Sequence, residues 1–96
     1  MILKNNRNHS ALSIFKILKA SFNYYLYQNN RKSKQYDFSV KGNTVWVFSD
    51  THEKIHFTIL VGDKINVTSL TTDNLLILDF NSFLYSQLDL KSIINI

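Results

Sequence analysis

Residues 36–49 read Tyr-Asp-Phe-Ser-Val-Lys-Gly-Asn-Thr-Val-Trp-Val-Phe-Ser, and this stretch decides the fold. Tyr36, Phe38 and Val40 alternate with Asp37, Ser39 and Lys41, a period of two that belongs to a strand. Lys41-Gly42-Asn43 supplies a turn. From Thr44 to Phe48 the chain is apolar on both sides, with Val45 and Val47 on one face and Trp46 and Phe48 on the other. Such two-sided apolarity belongs to a central strand or to one that carries a binding face.

Toward the C-terminus, Ser49-Asp50-Thr51 turns the chain, and Ile55, Phe57, Ile59 and Val61 make a third strand. Gly62-Asp63 reads as a tight hairpin turn, followed by a fourth strand through Ile65, Val67 and Ser69. Residues 75–80 are apolar on both sides. They read as a fifth strand, followed by a helix capped at Asn81 or Ser82 that buries Phe83, Leu84, Leu88 and Ile94. The alternative is a helix that starts at Leu75 and runs through Leu90.

Toward the N-terminus, residues 10–29 read as one helix. Ala11, Ile14, Phe15, Leu18, Phe22, Tyr25 and Leu26 recur at spacings of three and four. Ser10 is its N-cap, and Asn29-Asn30 its stop. The fold expected is therefore α+β: an N-terminal amphipathic helix packed on a four- or five-stranded antiparallel meander, with a C-terminal helix. Ninety-six residues make one domain, 1–96, with residues 1–9 expected as a flexible basic arm.

Apolar residues form 45% of the chain and include seven Phe, five Tyr and one Trp, enough to build a core with no metal or disulfide staple. The chain has no cysteine, which excludes disulfide frameworks, thiolate metal sites and cysteine nucleophiles. No apolar run is long enough to span a membrane, and Lys16 and Lys19 interrupt the one candidate signal core. An intracellular, cytoplasmic protein with no cofactor is expected.

Charge is unevenly distributed. Residues 1–36 hold Lys4, Arg7, Lys16, Lys19, Arg31, Lys32 and Lys34 and no acid, whereas residues 37–96 hold four lysines against seven acids. The segments carry +7 and −3, which together make the net +4. A helix showing Lys16 and Lys19, continued by Arg31, Lys32 and Lys34, projects a positive field to which phosphate backbones respond by counterion release. Tyr24 and Tyr27 add rings on which unpaired bases stack. The leading expectation is a non-enzymatic binding module that contacts nucleic acid or a ribonucleoprotein through this helix. Against it stand a plain solvated helix face and the lack of any known nucleic-acid signature. The alternative is a protein-interaction factor, such as an inhibitor or accessory subunit, that uses Trp46 and Phe48 as an aromatic sheet patch. The basic helix would equally suit an acidic protein surface, and an edge strand of the meander would let two copies pair as a homodimer.

His52-Glu53-Lys54-Ile55-His56 matches the zinc-hydrolase pattern H-E-x-x-H, in which two histidines one helical turn apart share the metal. Residues 55–61 instead alternate as a strand. Positions four apart on a strand are about 13 Å apart, too far to share one ion. Glu53 is also the only glutamate, so no glutamate remains as a third ligand. The motif therefore reads as a turn leading into a strand, with both histidines on its polar face, and zinc hydrolysis is the remote alternative.

Overall fold

A computed structural model describes residues 1–30, 35–49 and 54–92. In chain order the elements are β1 (Ile2–Lys4), α1 (Ala11–Gln28), β2 (Tyr36–Lys41), β3 (Thr44–Ser49), β4 (Ile55–Val61), β5 (Lys64–Ser69), α2 (Asn74–Gln87) and β6 (Lys91–Ser92). The strands form one antiparallel sheet in the order β2-β3-β4-β5-β1-β6. Both helices pack on one of its faces, where Phe22 of α1 meets Phe38 and Phe80 of α2 stacks on Phe57 at 3.9 Å. The result is the expected α+β architecture, helix, meander, helix. Among the described residues no helix is long and apolar enough to cross a membrane.

The meander β2–β5 follows the alternation read from sequence. Lys41 pairs with Thr44, leaving Gly42 and Asn43 as a two-residue turn, and Gly42 takes φ +58 at its corner. Only glycine occupies that region at no steric cost. The inner face carries Tyr36, Val45, Val47, Phe57, Ile59, Val61, Ile65 and Val67, all buried. Phe22 is the hub of the core, with its ring centroid 5.3 Å from Phe80, 5.2 Å from Phe83 and 6.1 Å from Tyr36.

Helix α1 begins and ends as its sequence predicts. The Ser10 side chain accepts the Ser13 amide at 3.1 Å, and Asn30 turns the chain at φ +61 beyond the last helical turn. Asn23 then fixes the helix to the sheet: its amide donates to the Tyr36 carbonyl and accepts the Tyr36 N–H, both at 2.9 Å.

Two regions differ from the sequence expectation. Residues 75–80 are helical rather than a fifth strand, because α2 starts at Asn74 and is capped by Asp73 rather than by Asn81 or Ser82. The Asp73 carboxylate accepts the amides of Leu75 and Leu76 at 3.1 Å each. Leu76, Phe80, Phe83 and Leu84 are then buried at helical spacing, while Leu75 and Leu78 point outward. The outward leucines hide the period of 3.6 behind what looks like a two-sided apolar strand. Leu88 is buried as expected, and Ile94 lies outside the described residues.

The other difference lies in residues 1–9. Ile2–Lys4 form β1 beside β5, with Leu3 fully buried opposite Ile65. Asn5, itself buried, donates to the carbonyls of His9 and Gly62 at 2.9 and 2.8 Å and accepts the His9 amide at 2.8 Å. Three strand residues are too few to show a period, so only the sheet edge left open by β5 reveals this pairing.

Candidate functional site

Among the described residues the helices cover one face of the sheet and leave the other uncovered, and the uncovered one can be read row by row from the register. Ser39, Trp46, Thr58 and Thr68 lie side by side across β2, β3, β4 and β5. A second row runs Lys41, Thr44, Leu60, Asn66 and Ile2, reaching β1. A third joins Asp37, Phe48 and Ile55, and Lys64 pairs with Lys4 at the far corner. Side chains two apart on one strand share a face, so Trp46 and Phe48 stand about 7 Å apart along β3.

β3 and β4 bear no charge on this face: Thr44, Trp46, Phe48, Ile55, Thr58 and Leu60. Among the described side chains, charge on this face stands on the other strands, as Asp37 and Lys41 on β2, Lys64 on β5 and Lys4 on β1. Trp46 and Phe48 are half-buried and, with Ser39 and Ile55, line a shallow hollow of about 340 Å³. Around them Ile55, Leu60 and Ile2 are 40%, 53% and 47% exposed. Uncharged rings left partly in contact with water, with charge on neighbouring strands, suit a recognition surface. β2 is one edge of the sheet, and its charged Asp37 and Lys41 are residues of the kind that discourage edge-to-edge pairing.

The basic residues singled out in α1 lie on the opposite side of the molecule. Lys16, Lys19, Tyr24 and Tyr27 are exposed on the side of the helix turned away from the sheet. Lys19 rests its ammonium 5.6 Å from the centre of the Phe15 ring. Arg31, Lys32 and Lys34 lie outside the described residues. The structure thus gathers four of the seven basic-helix candidates on one face and separates them from Trp46 and Phe48 by the thickness of the fold.

His56 lies within β4, where the pairing slips: Val47 faces Phe57 but Phe48 faces Ile55, so His56 is the extra residue of a bulge. The bulge turns its side chain inward rather than onto the polar face, and it is buried edge-on to Tyr36 at 5.3 Å. His52 and Glu53 lie outside the described residues. Among the described residues, no three His, Cys, Asp or Glu side chains are grouped to hold a metal.

The fold does bring together polar residues that sequence spacing could not connect. Tyr36, Ser49, Lys54, His56, Thr71, Thr72 and Asp73 line a recess of about 320 Å³ at one end of the sheet. It holds a serine, a histidine and an aspartate, but one Asp73 oxygen is already committed to capping α2. Comparison with known protein families, with curated proteins and with solved structures finds no match to this chain.

Proposed function

We propose that the protein is a small, non-enzymatic binding module that holds single-stranded nucleic acid against the uncovered face of its sheet. The observation that carries this reading is Trp46 beside Phe48 on the sheet face opposite both helices. Unpaired bases stack on such rings whatever their sequence, each stack contributing about 1–3 kcal/mol. Lys41 stands on the strand next to Trp46, and Lys64 and Lys4 lie farther off at the same turn end of the sheet, a line of cations that supplies the phosphate contacts. Ser39, Thr58, Thr68 and Asn66 fill the intervening positions with donors and acceptors for base edges.

The basic face of α1 also attracts phosphate, but its charges and rings are strung along a convex helix, and Lys19 is drawn over Phe15. The sheet face offers rings and lysines on one surface, which favours it as the docking site.

Trp46 is the only tryptophan in the chain, so its fluorescence reports directly on the site. Single-stranded RNA or DNA is expected to quench it, and the affinity to fall steeply with salt. In an anisotropy titration of labelled oligonucleotide, Trp46→Ala and Phe48→Ala each weaken binding about tenfold, one stacking contact's worth. Lys16→Glu with Lys19→Glu leaves it within about twofold. The opposite pattern moves the site to α1. No binding even at low salt rejects nucleic acid altogether. The rings and the lysines at the turn end would then belong to an acidic protein partner.

A further inference from the structure

Among the described residues β2 has a neighbouring strand on one side alone, β3, so its other side is an open sheet edge. In an antiparallel ladder the backbone groups of alternate residues point toward the partner strand and away from it. The Asn23 amide marks the set that points away, because it bonds both the N–H and the carbonyl of Tyr36. Phe38 and Val40 follow Tyr36 at steps of two, so their N–H and carbonyl groups also face outward along the edge. Among the described residues nothing bonds these groups. Two donors and two acceptors in a row are a template for another strand.

Asp37 and Lys41 keep most strands from taking that place, but one register turns them into an attraction. Let a second copy of β2 lie antiparallel along the edge, with a two-fold axis through Ser39. Phe38 then faces Val40 of the second copy, Asp37 faces its Lys41, and symmetry repeats both meetings. Each Phe38–Val40 pair exchanges two backbone hydrogen bonds, which uses every outward group of Phe38 and Val40. Their side chains meet on the covered face, where α1 leaves both only partly buried. An aromatic ring opposite a β-branched side chain is a favourable cross-strand pair. The Asp37–Lys41 pairs take the non-hydrogen-bonded positions on the uncovered face, where side chains come closest.

Other registers lose this match. With the axis at Phe38, Asp37 faces Ser39, and Val40 meets Tyr36, whose backbone Asn23 already holds. With the axis at Val40, Lys41 faces Ser39 and Phe38 reaches the Gly42 turn. A two-fold interface requires each residue to suit its counterpart in reverse order. Asp37-Phe38-Ser39-Val40-Lys41 meets that condition in charge and in apolarity at once. The axis is normal to the sheet, so α1, which packs on β2 and β3, comes to stand on either side of it. Lys16 and Lys19 of the two copies repel across this gap, and physiological salt, with a Debye length of about 8 Å, screens them.

We infer that the chain forms a two-fold homodimer in which β2 pairs antiparallel with β2 of a second copy about Ser39, continuing the sheet from one subunit into the other. The uncovered faces join into one surface, with the two copies of Trp46 about 14 Å apart, three strand spacings. This inference does not rest on what that face binds.

The test uses the full chain at physiological salt, without nucleic acid. Sedimentation equilibrium should give twice the 11.2 kDa of one chain at tens of micromolar. Asp37→Lys sets lysine against lysine, and Lys41→Asp sets acid against acid. Each variant alone should lose the dimer with unchanged circular dichroism, since both side chains are exposed. Mixed in equal amounts, the two should pair with each other, and Asp37→Lys combined with Lys41→Asp should restore the homodimer. Cysteine reads the register directly, because the chain has none of its own. Across a non-hydrogen-bonded pair the Cα atoms are about 4.5 Å apart, within disulfide reach. Ser39→Cys should therefore cross-link to a dimer under mild oxidation, whereas Thr58→Cys, two strands away on the same face, should not. A wild-type chain that stays monomeric throughout overturns the proposal. So does a dimer that both single charge reversals leave intact, or equal cross-linking of the two cysteine variants. A monomer whose Trp46 fluorescence is still quenched by single strands overturns the dimer alone.

Discussion

The two faces of this sheet are made from the same strands by the same alternation, yet they differ in what lies opposite them. On β3, Val45 and Val47 are fully buried, whereas Trp46 and Phe48, one step away, are only half-buried. The larger rings stand on the side with no helix. Burial alone would place the bulkiest side chains inside, where each square ångström removed from water contributes most. Aromatic bulk on the uncovered side is left partly in contact with water, and points to a role in contact with another molecule.

That contrast can be broken first on its covered side. Phe22 joins both helices to the sheet, so Phe22→Ala should cost about 3–5 kcal/mol in urea denaturation, a large share of the stability of a domain this size. A smaller loss would mean that the helices are held to the sheet by something other than this hub. Next comes the polar clamp. Asn23→Ala leaves the Tyr36 N–H and carbonyl without their helix partner and should cost about 1–2 kcal/mol. Hydrogen exchange should locate that loss at the β2 end of α1. The smallest effect on stability is expected on the uncovered side: Trp46→Phe, which keeps a ring on the sheet, should change the unfolding free energy by less than about 1 kcal/mol. A much larger change would make Trp46 a structural residue and remove the contrast between the faces.

Legibility from sequence followed the length and purity of each pattern. β2 to β5 alternate over six or seven residues, and their turns carry Gly42 and Gly62, so strands and hairpins were apparent. Helix α1 offered a stripe over five turns and a serine at its start, both of which hold. Helix α2 was obscured because Leu75 and Leu78 are apolar yet outward, leaving Asp73 as the decisive signal for its start. β1 was invisible, since Ile2–Lys4 acquire strand geometry only by meeting β5. Asn5 and Asn23 gave no sign of their roles, because the carbonyls and amides they bond belong to segments distant in sequence.

The candidate surface divides in the same way. That Trp46 and Phe48 share a face opposite Val45 and Val47 follows from the geometry of any strand. So does the segregation of positive charge into the first third of the chain, which is composition and nothing more. Which face the helices cover was beyond reach of the sequence, because alternation specifies two faces without saying which receives a partner layer. The packing of Phe22 and Phe80 against Phe38 and Phe57 decided it. The same packing put Lys4, Lys41 and Lys64 on the same face as the half-buried rings, and Lys16 and Lys19 on the far side. Local sequence determines the shape of each element through short-range sterics and period. Only the burial of one apolar surface against another selects which residues of those elements are left facing outward.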